Sequence, residues 1–302
     1  MADDGTISWR RLWDETAQVA GRPAARWLCE EASGAFGDEF REVLEQPVTE
    51  RSIAHLDAML ARLRSGEPLQ YVLGHWSFRH LDLLVDRRVL IPRPETELVT
   101  EVAIELVRAV AVAVRQRPLA VADLGTGSGA IGLSLAFELP RGLAEVWLTD
   151  VSTDALDVAR ANTAGLGVAG AAVRFAVGEW LQALPPALEG SLALIVSNPP
   201  YIAPDDPDVA PEVREWEPHA ALFADDCGLA DVREIAAGAA TWLRPGGWLV
   251  LEIGAGQGPA VADLLVAAGF VDVEVQPDLA GRDRVAVARR TDRRTTGRAL
   301  DE

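Results

Sequence analysis

The sequence predicts an α/β protein in which a doubly wound, mostly parallel sheet follows a small helical domain. After Pro118, strand-forming runs alternate with helical segments, which is the pattern of parallel α/β domains. From Trp9 to Arg64 the chain instead carries helical periodicity. A glycine-rich turn, Gly125 to Gly129, joins the first of the buried strands directly to a helix.

The helical domain is predicted over residues 1–72. Apolar residues recur there at spacings of three and four in three segments, near 9–16, 25–32 and 49–64. Gly66 and Pro68 follow the third segment as stop signals. Since strand-like alternation is not seen in these segments, we expect a helical bundle.

The hydrophobic pattern changes in residues 73–94. Short runs rich in Val, Leu and aromatic residues, at 76–78 and 81–85, predict a hairpin between two domains. Pro92 and Pro94 stiffen the chain before a long helix that we expect to begin near Glu95, because an acidic first turn suits a helix N-terminus.

Residues 95–290 are predicted to form the larger domain, and residues 291–302 a disordered tail. The strands are expected near 119–124, 145–149, 172–176, 191–197 and 247–253. The helices are expected near 129–139, 153–165, 228–243 and 257–268. Two closing runs, 271–276 and 284–288, are expected to pair as an antiparallel ending.

Charge and cysteine content limit the function classes. The chain has 302 residues, its basic residues are all Arg, and its formal net charge is -18, which disfavours direct nucleic-acid binding. Cys29 and Cys227 have no neighbours at metal-ligand spacing, and the four histidines are scattered, so neither a metal site nor a catalytic histidine is expected. With no signal segment or membrane span suggested, we expect a soluble, cytoplasmic protein.

The glycine turn predicts a nucleoside cofactor. Gly125, Thr126, Gly127, Ser128 and Gly129 lie between a buried strand and a helix, where glycines let the backbone approach a ligand. Asp150 follows the next strand, where a carboxylate binds ribose hydroxyls.

An acidic residue two positions before the turn favours one cofactor over others. The carboxylate of Asp123 would repel a pyrophosphate but suits a cationic sulfonium or ammonium group. S-adenosylmethionine carries both groups and is therefore the predicted cofactor. Trp180, after the third strand, has two open interpretations, an aromatic platform for the adenine ring or an ordinary core tryptophan.

The reaction site is predicted at Asn198, Pro199, Pro200 and Tyr201, which end the fourth strand of the sheet. The prolines keep the neighbouring carbonyls rigid and free. The Asn198 side-chain oxygen and the Pro199 carbonyl are expected to accept both hydrogens of a planar NH₂ group, and Tyr201 to pack against it. A purely structural turn is the alternative.

These motifs together resemble the HemK/PrmC family, the protein-(glutamine-N5) methyltransferases that modify the Gly-Gly-Gln glutamine of class-one peptide-chain release factors. Besides the two turns, the resemblance extends over segments along nearly the whole chain, namely 66–71, 91–97, 217–218, 251–254 and 281–284. The discriminating segment is Ile91 to Glu97, Ile-Pro-Arg-Pro-Glu-Thr-Glu. The sequence differs from the commonest family pattern at Gln70 and at Trp76 to Arg79.

The resemblance implies a seven-stranded class I S-adenosylmethionine-dependent methyltransferase domain, preceded by the helical domain and the hairpin. It implies that Gly125 to Gly129, Asp150 and Trp180 contact the cofactor. It also implies that Asn198 to Tyr201 hold the substrate glutamine, with Asn198 next to both ligands and with Asn198, Pro199 and Tyr201 as the catalytic residues. We further expect a monomer whose helical domain docks the release factor.

Three alternatives remain. Asn-Pro-Pro-Tyr serves any planar NH₂, so the substrate could be an exocyclic amino group of RNA or DNA. Sister enzymes that act on a ribosomal-protein glutamine share the turn, although their linker looks like Val-Pro-Arg-Ser-Pro. A non-catalytic scaffold is disfavoured by the intact glycine turn and Asn198. Binding of S-adenosylmethionine would separate the scaffold from the enzymes.

Overall fold

A computed structural model describes residues 7–291 of the chain. The α-helices are α1 (Trp9–Ala20), α2 (Arg22–Ser33), α3 (Asp38–Val43), α4 (Glu50–Arg64), α5 (Leu69–Leu73), α6 (Pro94–Ala113), α7 (Ala130–Glu138), α8 (Thr153–Gly165), α9 (Pro211–Trp216), α10 (Asp225–Gly228), α11 (Ala230–Trp242) and α12 (Gly258–Ala267). The strands are β1 (His75–Phe78), β2 (Leu81–Leu84), β3 (Leu119–Leu124), β4 (Ala144–Asp150), β5 (Val173–Val177), β6 (Leu192–Ser197), β7 (Leu243–Glu252), β8 (Val271–Pro277) and β9 (Asp283–Arg289).

The chain divides into two compact units. Within the described residues, the helical unit comprises 7–76 and Pro211–Trp216, and the sheet unit comprises Ser77–Ala210 and 217–291. The sequence prediction places α9 in the domain of residues 95–290, whereas the structure groups it with the helical unit. A Cβ on Gly66 would lie 3.6 Å from Trp216 Nε1, which places the end of α9 beside the turn after α4.

The helical unit is a bundle built around α1, α2 and α4. Side-chain oxygens cap two of these helices, because Ser8 accepts from the Arg11 amide and Thr49 from the Ser52 amide. The helices α3 and α5 were missed from sequence because segments of six and five residues are too short to show a helical period. The buried core consists of Trp9, Leu28, Cys29, Ala32, Phe40, Leu44, Val48, Leu56, Met59, Leu60 and Val72.

The sheet unit contains a seven-stranded sheet with the order β5-β4-β3-β6-β7-β9-β8. Neighbouring strands from β5 to β7 are parallel, while β9 is antiparallel to both β7 and β8. Helices α6 and α7 pack in one core cluster and α11 and α12 in another. The predicted doubly wound sheet with an antiparallel ending is confirmed, as is the β1–β2 hairpin.

The strand order reverses beside β3, since β4 lies on one side of it and β6 on the other. In sheets of this kind, ligands bind outside the carboxyl ends of the strands at the reversal point. Leu124 pairs with Ser197 in the β3–β6 register, and the Ser197 hydroxyl donates to the Leu124 carbonyl at 2.7 Å. The residues that follow, Gly125 and Asn198, therefore begin at one edge of the sheet.

Two further expectations concern the C-terminal tail and membrane-spanning helices. The disordered tail predicted for residues 291–302 lies, apart from Thr291, outside the described residues. Within residues 7–291, no helix is long and apolar enough to cross a membrane.

Candidate active site

The turn after β3 is shaped by glycines. Gly125, Gly127 and Gly129 have φ values of 67°, 54° and 88°, a region that residues with a Cβ rarely adopt. A Cβ on Gly125 would lie 3.1 Å from the Trp180 ring, whereas a Cβ on Gly127 would enter open space. Because Gly127 has no Cβ, the backbone of the turn lies directly beside this open space.

Asp123 braces this turn from behind. Its Oδ2 accepts from the Thr126 hydroxyl at 2.6 Å and from the Gly132 amide at 2.9 Å. Its Oδ1 is buried without a hydrogen-bond partner among residues 7–291, and burial raises the pKa of Asp123 to about 7. Because Asp123 is not among the residues that line the cavity described below, its contacts indicate a bracing role rather than the suggested cation contact.

Asp150 ends β4 beside the glycine turn. Its Oδ2 accepts from the Gly127 amide at 3.0 Å and its Oδ1 from the Ser152 amide at 2.9 Å. Burial raises the pKa of Asp150, although the backbone donors favour the charged form. Each carboxylate oxygen has a second lone pair, so the group can still accept a hydrogen from a ligand hydroxyl.

A cavity of about 460 Å³ lies at this edge of the sheet, which is within the usual size range of small-molecule sites. Of the residues predicted from sequence, the cavity wall includes Gly125, Thr126, Gly127, Ser128, Asp150, Trp180, Asn198 and Pro200. Gly129, Pro199 and Tyr201 lie outside that wall. The structure thus brings the glycine turn and the Asn198 turn to one cavity.

Trp180 lines the cavity next to Gly125. Its Nε1 donates to Asp231 Oδ1 on α11 at 3.2 Å, and the residue has a positive φ of 40°. Its indole also packs against the core cluster of α11 and α12. The side chain is therefore a core contact and a cavity wall at once, and its role as a platform for adenine stays a prediction.

The reaction turn, Asn198 to Tyr201, is held by polar side chains from three other segments. Asn198 Nδ2 donates to Thr96 Oγ1 at 3.4 Å, and the Tyr201 hydroxyl donates to Glu252 Oε1 at 3.1 Å. Arg284 lies over the Tyr201 ring, 6.0 Å from its centroid. Burial raises the pKa of Tyr201, so the phenol is a hydrogen-bond donor here rather than a base.

The backbone after the reaction turn is also braced. Gln257 Nε2 donates to the Tyr201 carbonyl at 3.1 Å, and a Cβ on Gly228 would lie 2.1 Å from that same oxygen. Asp226 and Cys227, which precede Gly228, both have positive φ, 55° and 56°. These strained positions, which nothing in the sequence pattern predicted, keep the segment packed against Tyr201.

An ion pair joins two of the segments that carried the family resemblance. The guanidinium of Arg93 donates to the carboxylate of Glu217, whose other oxygen accepts from the Ile91 amide at 3.1 Å. Arg93 lines the cavity and the Glu217 side chain is 1% exposed. Close by, the His219 ring packs edge-on against Phe223, another cavity residue, with centroids 5.4 Å apart.

The fold and the site together define the class. A seven-stranded sheet with a glycine turn after β3, and Asn-Pro-Pro-Tyr after the adjacent β6, is that of a class I methyltransferase. Two family models match the chain, Methyltransferase small domain over residues 106–213 and PrmC N-terminal domain over residues 19–74.

Relatives identify the family within that class. The chain is 41% identical over 268 residues to a release factor glutamine methyltransferase of Burkholderia pseudomallei, covering 88% of this chain and 90% of the relative. It is 44% identical over 250 residues to the protein of the same name in Cereibacter sphaeroides, covering 82% and 83%. The chain belongs to the release factor glutamine methyltransferase family, HemK/PrmC.

A solved structure is also similar to this chain. It is the release factor-specific protein-(glutamine-N5) methyltransferase from Alicyclobacillus acidocaldarius, 29% identical, aligned over 67% of this chain and 94% of that chain with a TM-score of 0.40.

Sequence reasoning missed several residues of the site. Thr96, Glu217, Glu252 and Arg284 all lie in segments quoted for the family resemblance, but none was given a role. The available signal was a polar residue inside an apolar stretch, such as Glu252 at the end of the buried run of β7. Which partner each would find could not be read from chain order, because the partners are more than 50 residues apart or in other elements.

Proposed function

We propose that this protein transfers a methyl group from S-adenosylmethionine to the side-chain amide nitrogen of the glutamine in the Gly-Gly-Gln motif of class-one peptide-chain release factors. The relatives' activity, release factor glutamine methylation, supports the substrate. The observation that carries the proposal is that Asn198, a carboxamide suited to recognising another carboxamide, shares one cavity wall with the glycine turn.

The residues of the cavity fit the proposed cofactor. Gly127 presents open space where any other residue would place a Cβ, and the Asp150 carboxylate retains acceptor capacity for ribose hydroxyls. The Trp180 ring supplies an apolar, aromatic wall suited to a purine. When bound, S-adenosylmethionine supplies an electrophilic methyl group.

The reaction turn would hold and orient the substrate amide. An amide nitrogen is a weak nucleophile because its lone pair is delocalised, so the protein must contribute positioning more than proton transfer. The Asn198 side-chain oxygen and the Pro199 carbonyl would accept the two N–H groups, leaving the nitrogen lone pair exposed. Tyr201, with its hydroxyl engaged by Glu252, would support the turn.

The test is transfer of labelled methyl from S-adenosylmethionine to a panel of purified acceptors. The panel contains a class-one release factor, its Gln→Ala variant in Gly-Gly-Gln, ribosomal proteins, and RNA and DNA oligomers. We expect label on the wild-type release factor and none on its variant. Because translation termination takes place in the cytoplasm, this substrate also agrees with the expected location.

Other outcomes are equally informative. Label confined to ribosomal proteins would keep glutamine chemistry and replace the substrate, while label confined to oligomers would support the exocyclic-amine alternative. No measurable binding of S-adenosylmethionine, together with no transfer to any acceptor, would favour the scaffold interpretation and contradict the proposal.

A further inference from the structure

A chain of hydrogen bonds leads from the reaction turn to a buried carboxylate. Asn198 Nδ2 donates to Thr96 Oγ1 at 3.4 Å, and the Thr96 hydroxyl donates to Glu252 Oε2 at 2.7 Å. The other carboxylate oxygen accepts from the Tyr201 hydroxyl at 3.1 Å. Thr96 is 4% exposed and Glu252 is fully buried, so these bonds are shielded from water.

The number of protons available in this series of hydrogen bonds decides how the Asn198 side-chain amide is oriented. A threonine hydroxyl has one proton, and an ionised carboxylate can only accept. Because the Thr96 proton is donated to Glu252, the Thr96 oxygen can offer Asn198 only a lone pair. The Asn198 amide must therefore turn its NH₂ group toward Thr96, and its Oδ1 remains available as an acceptor.

Glu252 accepts a hydrogen bond at each of its two oxygens, which is the bonding pattern of an ionised carboxylate. Two hydroxyl donors, from Thr96 and Tyr201, reach its two oxygens. Arg284 donates to the Ile253 carbonyl at 3.0 Å and brings a positive charge next to the site. Burial raises the pKa of Glu252, while the two hydroxyls and the Arg284 charge oppose that rise.

We propose that Thr96 and Glu252 are positioning residues that set the donor–acceptor orientation of the Asn198 amide, so that its Oδ1 faces the substrate NH₂ as an acceptor. This inference rests on the proposed function and assigns roles to two residues that act on the substrate through Asn198, of which Thr96 is part of the cavity wall and Glu252 is not. In the opposite orientation Asn198 would present an NH₂ group to another NH₂ group, and the substrate amide would lose one of its two acceptors.

The first test removes the hydroxyl and then restores it. Thr96→Val keeps the shape of the side chain but cannot bond either partner, whereas Thr96→Ser retains the hydroxyl. We expect Thr96→Val to lower kcat for the release factor on the order of 10-fold or more, with the Kd for S-adenosylmethionine changed less than about 2-fold. Thr96→Ser should remain near wild type.

Glu252→Gln tests the carboxylate by a different route. The Gln side-chain NH₂ can donate to Thr96, which would free the Thr96 proton for Asn198 Oδ1 and permit the wrong amide orientation. We expect a kcat loss similar to that of Thr96→Val. If Glu252→Gln does not fold, as judged by its Tm, the Thr96 variants alone decide the question.

A double-mutant cycle separates positioning from a general structural role. If Thr96 acts through Asn198, Thr96→Val should cause no further loss of kcat in an Asn198→Ala background. Independent, multiplying losses in the two variants would overturn the inference, as would a Thr96→Val variant that loses cofactor binding together with activity. A Thr96→Val variant with full activity would overturn it as well.

The wild-type control keeps the two proposals apart. A wild-type enzyme that transfers no methyl to the release factor contradicts the proposed function. Transfer by wild type that is unaffected in Thr96→Val contradicts only the role given to the hydrogen-bond chain.

Discussion

Asn198 is the side chain on which the proposed chemistry depends most directly. Truncation to alanine removes one of the two acceptors for the substrate amide but leaves the glycine turn and Asp150 in place. We expect Asn198→Ala to lower kcat on the order of 100-fold, with little change in the Kd for S-adenosylmethionine. Steady-state kinetics and calorimetry check this, with Gln182→Ala, an exposed amide outside the cavity wall, as the control. Near-normal turnover would contradict the role.

The buried Asp123 makes stability depend on pH. Its pKa is raised from 3.8 to about 7, so between these values the folded protein holds a proton that the unfolded chain has released. Its contribution to the free energy of unfolding is therefore lost progressively as the pH rises through this range. We expect Asp123→Asn to show less loss of stability between about pH 5 and about pH 8 than wild type, in urea unfolding without cofactor. Parallel pH curves for the two proteins would contradict the raised pKa.

The glycine turn is a structural element that can be tested with a matched pair of substitutions. Gly127 and Gly142 both have positive φ, 54° and 73°, and at both a Cβ would meet open space, but only Gly127 lines the cavity. Both Asp variants carry similar backbone strain and the same added charge. We expect Gly127→Asp to lose S-adenosylmethionine binding measured by calorimetry, while Gly142→Asp keeps it. Equal effects would mean that the turn has no special relation to the cofactor.

Arg79, in the turn between β1 and β2, holds the hairpin against α6 and α7. This side chain, 12% exposed, pairs with both oxygens of Glu138 on α7, at 2.6 and 2.8 Å, and with Glu101 on α6. Removing one member of a largely buried ionic cluster leaves the others unpaired. We expect Arg79→Ala to lower the free energy of unfolding by about 2 kcal/mol or more in urea titrations. The exposed Arg41→Ala, whose partner Asp38 is also exposed, should cost less than about 0.5 kcal/mol.

Elements with strong periodicity were predictable from sequence, and elements stabilised by distant contacts were not. Helix α8 has the predicted limits, 153–165, because a capping serine and a regular apolar face mark it locally. Strand β7 begins at Leu243, four residues before its predicted start, since Gly246 and Gly247 look like loop residues until Leu192 pairs beside them. The left-handed run at Asp226 and Cys227 has no local sequence signal at all.

At the scale of the whole molecule, the helical unit remains our candidate for docking the release factor. It exposes aromatic side chains that include Trp27, which packs on Trp76 with ring centroids 5.1 Å apart, and Phe36, 49% exposed. Exposed aromatic residues are frequent anchors of protein interfaces. The cavity wall, in contrast, belongs entirely to the sheet unit, so docking and cofactor binding should be separable.

A pair of phenylalanines of equal exposure tests this division. Phe36→Ala should raise KM for full-length release factor about 5-fold, equivalent to ~1 kcal/mol, but leave KM for a short Gly-Gly-Gln peptide unchanged. Phe137→Ala, on α7 of the sheet unit and 48% exposed, is the control and should change neither value. An equal rise for the peptide would contradict docking by the helical unit.

Only those parts of the site that lie at the carboxyl ends of strands could be predicted from the sequence. The turns at Gly125 and Asn198 could be located because parallel strands place their carboxyl ends at one edge. The chain of polar contacts behind them could not, since Thr96 and Glu252 are 156 residues apart and meet through the packing of α6 against the sheet. Their pairing is a property of the folded molecule, not of any local segment.

The two cysteines differ in a way that gives the reaction turn a reporter position. Cys29 is buried, and burial raises its pKa to about 11, so at neutral pH it is a poor target for thiol reagents. Cys227 is exposed, and its carbonyl accepts from the same Gln257 amide that holds the Tyr201 carbonyl. A maleimide dye should therefore attach to one position per molecule without any engineered cysteine, and its fluorescence would follow the turn as substrate arrives.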